Sequence, residues 1–149
     1  MKLSNNFSLA EMIKSQTALR KGINNTPEQD EIDKLRALCE NVLQPVRDHF
    51  GKPVTVNSGF RCLQLNRAIG SKDTSQHRKG EAADIEIAGV PNKELAEWIR
   101  DNLEFDQLIL EFYSDDDPAA GWVHVSYIEQ GRRKQCLTIG KSGTSVGLG

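Results

Sequence analysis

Ser75-Gln76-His77-Arg78-Lys79-Gly80-Glu81-Ala82-Ala83-Asp84-Ile85-Glu86-Ile87 passes from a polar loop, 71–79, through a glycine into an alternating run, 82–87. Period-two alternation is the mark of a half-buried strand. Gly80 permits a tight turn, so a loop histidine can fold back toward an aspartate on the strand that follows. Beyond it, 92–103 carries Leu95, Ala96 and Ile99 on one face and follows Pro91, which reads as an amphipathic helix. Three further strand candidates, 105–113, 122–128 and 134–139, are joined by short turn-rich segments that favour antiparallel neighbours.

Toward the N-terminus, 53–58 is β-rich and 62–69 reads as a short helix ending at Gly70. Ser8 with Glu11 forms a capping box that opens a helix over 9–19, with Leu9, Met12 and Ile13 on one face and Gly22 as the stop. Thr26, Pro27 and Gln29 open a longer helix whose Ile32, Leu35, Leu38, Cys39, Val42, Leu43 and Val46 recur at buried-stripe spacing; Pro45 is placed to kink it and Gly51 to end it. Helices first and strands later imply an α+β fold, a single domain over 1–139 with N-terminal helices packed on a central antiparallel sheet. The last segment, 140–149, has four glycines among ten residues and reads as a flexible tail.

A length of 149 residues bounds the chain to about one domain and therefore one site. With 38% hydrophobic and 27% charged residues the composition is that of an ordinary globular protein. No apolar run reaches the roughly 20 residues of a spanning helix, so no membrane partner is expected. The balance of 19 Lys+Arg against 21 Asp+Glu, without a basic block, excludes a non-specific nucleic-acid binder. Met1 to Phe7 is polar and lacks a secretory h-region. Cys39, Cys62 and Cys136 form no C-x-x-C pair and read as buried thiols. Of three histidines, His49 falls in a helix's last turn, where the dipole favours it.

The other two carry the chemistry. His77 and Asp84 stand in the pattern S-x-H-x-x-G-x-A-x-D, and His124 in Trp122-Val123-His124-Val125-Ser126. Singly, a histidine between two valines is a sheet residue and Asp84 a salt-bridge partner. Together, two imidazoles and a carboxylate suit one Zn²⁺ per chain, with a fourth tetrahedral position left for water.

With Ser58-Gly59-Phe60-Arg61 added ahead of these two motifs, the order of all three resembles the M15 type of zinc D-Ala-D-Ala carboxypeptidases and related peptidoglycan peptidases, especially short phage and prophage members. The resemblance runs from about Leu9 to Ile128. It implies that His77, Asp84 and His124 bind zinc, that Arg61 and Ser75 contact substrate, and that the substrate is a peptidoglycan stem peptide, cut at D-Ala-D-Ala or at an internal bond such as L-Ala-D-Glu. Arg61, following a strand and a Ser-Gly turn, is suited to hold a carboxylate or a developing oxyanion.

One departure stands out. Several branches of the family place an acid or another polar residue three positions before the second histidine, where this chain has Gly121. Glu111 is the replacement candidate: folding 105–113 and 122–128 as hairpin arms around 114–120 sets it opposite Val123 or His124. Asp115, Asp116 and Asp117 are the alternatives. The expected molecule is a monomeric zinc metallopeptidase, phage- or prophage-encoded, made in the host cytoplasm and reaching the wall after release or in a virion. The competing reading is a non-catalytic zinc-containing wall-binding or phage structural protein of the same fold, which the missing acid favours.

Overall fold

The structure is a computed structural model that describes residues 1–117 and 119–148. Strands β1 (Lys2–Ser4) and β2 (Phe7–Ser8) pair antiparallel ahead of the first helix. Ser8 opens α1 (Leu9–Ile13) with the expected capping box: its Oγ accepts from the Glu11 N–H while Glu11 Oε1 accepts from the Ser8 N–H. The single helix expected over 9–19 is two helices. Lys14 leaves the helical region at ψ 133, and Ser15 starts α2 (Gln16–Lys21) by accepting from the Ala18 N–H. A serine that can cap ends one helix as readily as it begins the next.

The buried stripe becomes α3 (Gln29–Leu38), a π-helical turn (Cys39–Leu43) and α4 (Gln44–Phe50) in direct succession. Pro45 lies in the first turn of α4, and the wider turn before it makes room for a ring that would otherwise collide with a carbonyl one turn back. Then follow β3 (Thr55–Ser58), α5 (Leu63–Ile69), α6 (Gln76–Lys79), β4 (Ala82–Glu86), α7 (Asn92–Asn102), β5 (Gln107–Glu111), β6 (Trp122–Ser126), β7 (Gln135–Gly140) and β8 (Gly143–Val146).

These last six strands form one sheet in the order β3-β4-β6-β5-β7-β8. The fold is α+β, as read from the sequence, with one correction: the sheet is mixed, because β5 and β7 run parallel while every other neighbouring pair is antiparallel. The reason is local. Residues 127–134 carry the chain from the end of β6 past the start of β5, where the Asp106 carbonyl accepts from the Gln135 N–H and its carboxylate from the Arg133 N–H. Two more corrections concern segments read as irregular. The polar loop 71–79 ends in the helical turn α6, and 140–149, read as a flexible tail, contains β8, an exposed strand hydrogen-bonded to β7.

Alternation along the central strands separates the two faces. Ala83 and Ile85 of β4, Leu108 and Leu110 of β5, and Val123 and Val125 of β6 are buried against Leu35, Leu38, Val42 and Val46 of the long helix and Leu95 and Ile99 of α7. Each such Val, Leu or Ile side chain, removed from water, contributes roughly 1.5–3 kcal/mol. The intervening positions, Asp84, Ile109, Glu111, Trp122 and His124, share the opposite face, and the site is built there. Among the described residues no helix is long and apolar enough to cross a membrane.

Candidate metal centre

Three elements each bring one candidate ligand. His77 sits on α6, whose first turn is closed by Ser75 Oγ accepting from the His77 N–H at 3.2 Å and whose end is Gly80. Gly80 has φ +78, and a Cβ there would lie 2.7 Å from the Glu31 carbonyl oxygen, so both conformation and space demand glycine. Asp84 of β4 is directly opposite His124 of β6 in the antiparallel register. Asp84 Oδ1 lies 3.3 Å from His77 Nε2 and 3.1 Å from His124 Nδ1, and the three potential donor atoms all lie within 4.8 Å of one another.

The protonation pattern favours a cation at that point. His77 Nδ1 is 2.8 Å from the Gly59 carbonyl, which can only accept, so Nδ1 carries the proton and the Nε2 lone pair faces the Asp84 carboxylate. Burial lowers the His77 pKa, which keeps the ring neutral. Burial also opposes charge on Asp84, but the two imidazoles beside it, His124 foremost, outweigh that and hold the carboxyl well below the usual range. A neutral imidazole lone pair facing an ionised carboxylate is repulsive until a positive charge lies between them. Two nitrogens and one carboxylate oxygen are the donor chemistry zinc prefers.

Around this centre opens a cleft of about 400 Å³, lined also by Arg61, Ser75, Glu111 and Trp122. Arg61 is pinned by its Nε to Ser58 Oγ at 3.1 Å and its Nη1 to Ser71 Oγ at 2.9 Å, which leaves Nη2 3.8 Å from Asp84 Oδ2. Glu111 is half-buried, and Trp122 Nε1 donates to its Oε2 at 2.8 Å. Burial, and then the Asp84 charge, raise its pKa. A larger hollow of about 530 Å³, lined by Thr55, Ile87 and Val90 among others, contains none of these groups.

Sequence comparison now bears on this arrangement. A family model described as Peptidase M15 matches residues 5–126. The chain belongs to the Peptidase M15 family. Over 44 residues it is 46% identical to the zinc D-Ala-D-Ala carboxypeptidase of Streptomyces albus G, a segment that covers 29% of this chain and 17% of that protein. The chain thus spans much less than two thirds of that relative's length.

In this M15 chain, His77, Asp84, His124, Arg61, Ser75 and Glu111 all reach one cleft. The hairpin register differs from the expected one: Glu111 pairs with Trp122, and Ile109 stands opposite His124. Because 109 and 111 share a face, Glu111 still looks into the cleft. Asp115, Asp116 and Asp117 are exposed in the turn, and none lines it. Position 121 has no room for an acid or any other side chain, since its φ is +73 and a Cβ would overlap the Glu111 carbonyl oxygen. His49 is exposed at the end of α4, stacked on Trp98 with ring centroids 4.3 Å apart and away from the cleft. All three cysteines are free; Cys39 is buried, while Cys62 and Cys136 are only partly so.

Residues that hold the M15 site in shape escaped sequence reading. Buried Asn25 donates to the Ile13 and Phe60 carbonyls and accepts from the Cys62 N–H at 2.7 Å, clamping the backbone on both sides of Arg61. Asp106, 2% exposed, accepts from Gln76 Nε2 and from Arg133, and so ties the residue before His77 to the sheet. An asparagine in a loop and an aspartate before a strand look like ordinary surface polar residues. Only their long-range partners reveal them.

Proposed function

We propose that the protein is a zinc metallopeptidase acting on peptidoglycan stem peptides, at a D-Ala-D-Ala or an L-Ala-D-Glu type bond. The observation that carries the reading is the convergence of His77 Nε2, Asp84 Oδ1 and His124 Nδ1 beside Glu111 and Arg61 in one cleft. His77, Asp84 and His124 would hold the metal. A bound zinc supplies Lewis acidity, polarising a carbonyl and bringing the pKa of water to about 7. Glu111 takes the proton from the attacking water and returns it to the departing amine nitrogen. Its raised pKa suits both halves of that exchange, and the Trp122 N–H on Oε2 leaves Oε1 to meet the water. Arg61, held by three neighbours, donates to the oxygen on which charge develops. Ser75 caps the helix of His77 and borders the substrate's path.

The reading of a non-catalytic module rested on the missing acid at 121. Glu111 in the cleft answers that objection, because it offers a carboxylate from the facing hairpin arm. Mass spectrometry of purified peptidoglycan after incubation with zinc-loaded protein tests the proposal and fixes the bond. New amino termini are expected for the native chain, and Glu111→Gln is expected to retain stoichiometric zinc while turnover falls about 10²- to 10⁴-fold. Intact wall fragments with the zinc-loaded native chain would overturn it.

A further inference from the structure

Arg133 lies outside the family's matched segment and has no part in the chemistry above, yet its side chain lines the same cleft. We propose that Arg133 reads a free carboxylate on the peptide substrate, about two residues from the bond that is cut; this rests on the peptidase reading above.

The guanidinium is built in rather than loose. Nε donates to Asp106 Oδ1 at 3.1 Å and Nη2 to Oδ2 at 2.8 Å, while the Arg133 backbone N–H donates to Oδ1 at 3.0 Å. Asp106 is itself immobilised beneath, accepting from Gln76 Nε2 at 2.8 Å. The Arg133 side chain above it is 53% exposed. An arginine has five N–H donors arranged in a planar fork. With the Nε/Nη2 edge occupied by Asp106, the end edge remains, one N–H from each terminal nitrogen. Among the described residues Nη1 has no hydrogen-bond partner. Two parallel N–H groups at the end of a fixed plane match the two oxygens of a carboxylate.

Position supplies the second argument. Cleft-facing side chains of β5 are Gln107, Ile109 and Glu111, spaced about 6.7 Å apart. Ile109 is opposite His124, Glu111 marks one end, and Asp106 with Arg133 adjoins Gln107 at the other. An extended peptide whose scissile carbonyl sits at the ligand cluster therefore brings a group about two residues away to Arg133. Arg61, the other cleft arginine, is committed to Ser58, Ser71, Asn66 and Asp84, leaving Arg133 to receive a second anion. A carboxylate pairs with that fork and an amide in its place does not, so the contact would select between peptides that differ only there.

The test uses zinc-loaded protein and matched peptides in which each carboxylate in turn is free or amidated, with the cleaved bond read from the products. The native chain is expected to show kcat/KM about 10- to 100-fold higher for the peptide whose carboxylate lies two residues from the cut. Arg133→Gln should bring that preference to within about two-fold by lowering cleavage of the free-carboxylate peptide selectively, and Arg133→Lys should restore part of it. A native chain indifferent to amidation overturns the proposal, as does an Arg133→Gln chain that loses equal activity on both peptides. If the native chain cleaves no peptide of the set, the peptidase reading itself fails.

Discussion

A carboxylate withdrawn from solvent persists only where something offsets the loss of water, and half-buried Glu111 and buried Asp106 are offset differently. Glu111 keeps a raised pKa, since burial and the Asp84 charge outweigh the Trp122 hydrogen bond, and that leaves it able to accept and release a proton. Asp106 goes the other way. Hydrogen bonds from the Arg133 side chain, helped by its backbone N–H and by Gln76, bring its pKa from 3.8 down to about 2. A folded-state pKa below the unfolded one adds stability that is complete above about pH 4 and disappears as pH falls through about 2. The shift corresponds to roughly 2 kcal/mol. Urea unfolding of Asp106→Asn between pH 6 and pH 2 should therefore show a shallower acid loss than the native chain. Parallel curves would mean that the Arg133 pairing contributes nothing to folding.

Among elements, the hairpin of β5 and β6 governs where the acid can stand. Its arms meet with Glu111 opposite Trp122, so the chain re-enters β6 through Gly121 with φ +73, packed on the Glu111 carbonyl. No side chain fits there, and on the proposed mechanism the proton carrier comes from the facing arm instead. Substituting Gly121→Ala imposes a left-handed conformation, which costs about 1 kcal/mol, in addition to a backbone overlap. Thermal melting should show a loss of about 2 kcal/mol or more. Gly121→Asp should be inactive as well as unstable rather than gain a second proton carrier. A stable Gly121→Ala chain with native turnover would show that the turn does not set the position of Glu111.

For the whole molecule, what could be read in advance followed the range of the interactions involved. Periodicity and capping are local, so the buried stripe of α3 and α4, the alternation of β4 and the three motifs that meet at the site were legible from the residues. The parallel partnership of β5 with β7 and the clamps at Asn25 and Asp106 depend on contacts between distant segments, and no local pattern announces them. The candidate ligands belong to this second class in one respect: α6, β4 and β6 come together only in the folded chain. A metal held by all three therefore binds the native state and hardly the unfolded one, so binding adds stability as RT ln(1 + [L]/Kd), about 2.7 kcal/mol at a free zinc concentration of 100 Kd. In a chain of this size that raises the melting temperature by roughly 5–10 °C. The native protein should melt that much lower after chelation, and Asp84→Asn should lose the difference between zinc-loaded and chelated samples. Identical melting of the native chain with zinc and with chelator would remove the metal from the site.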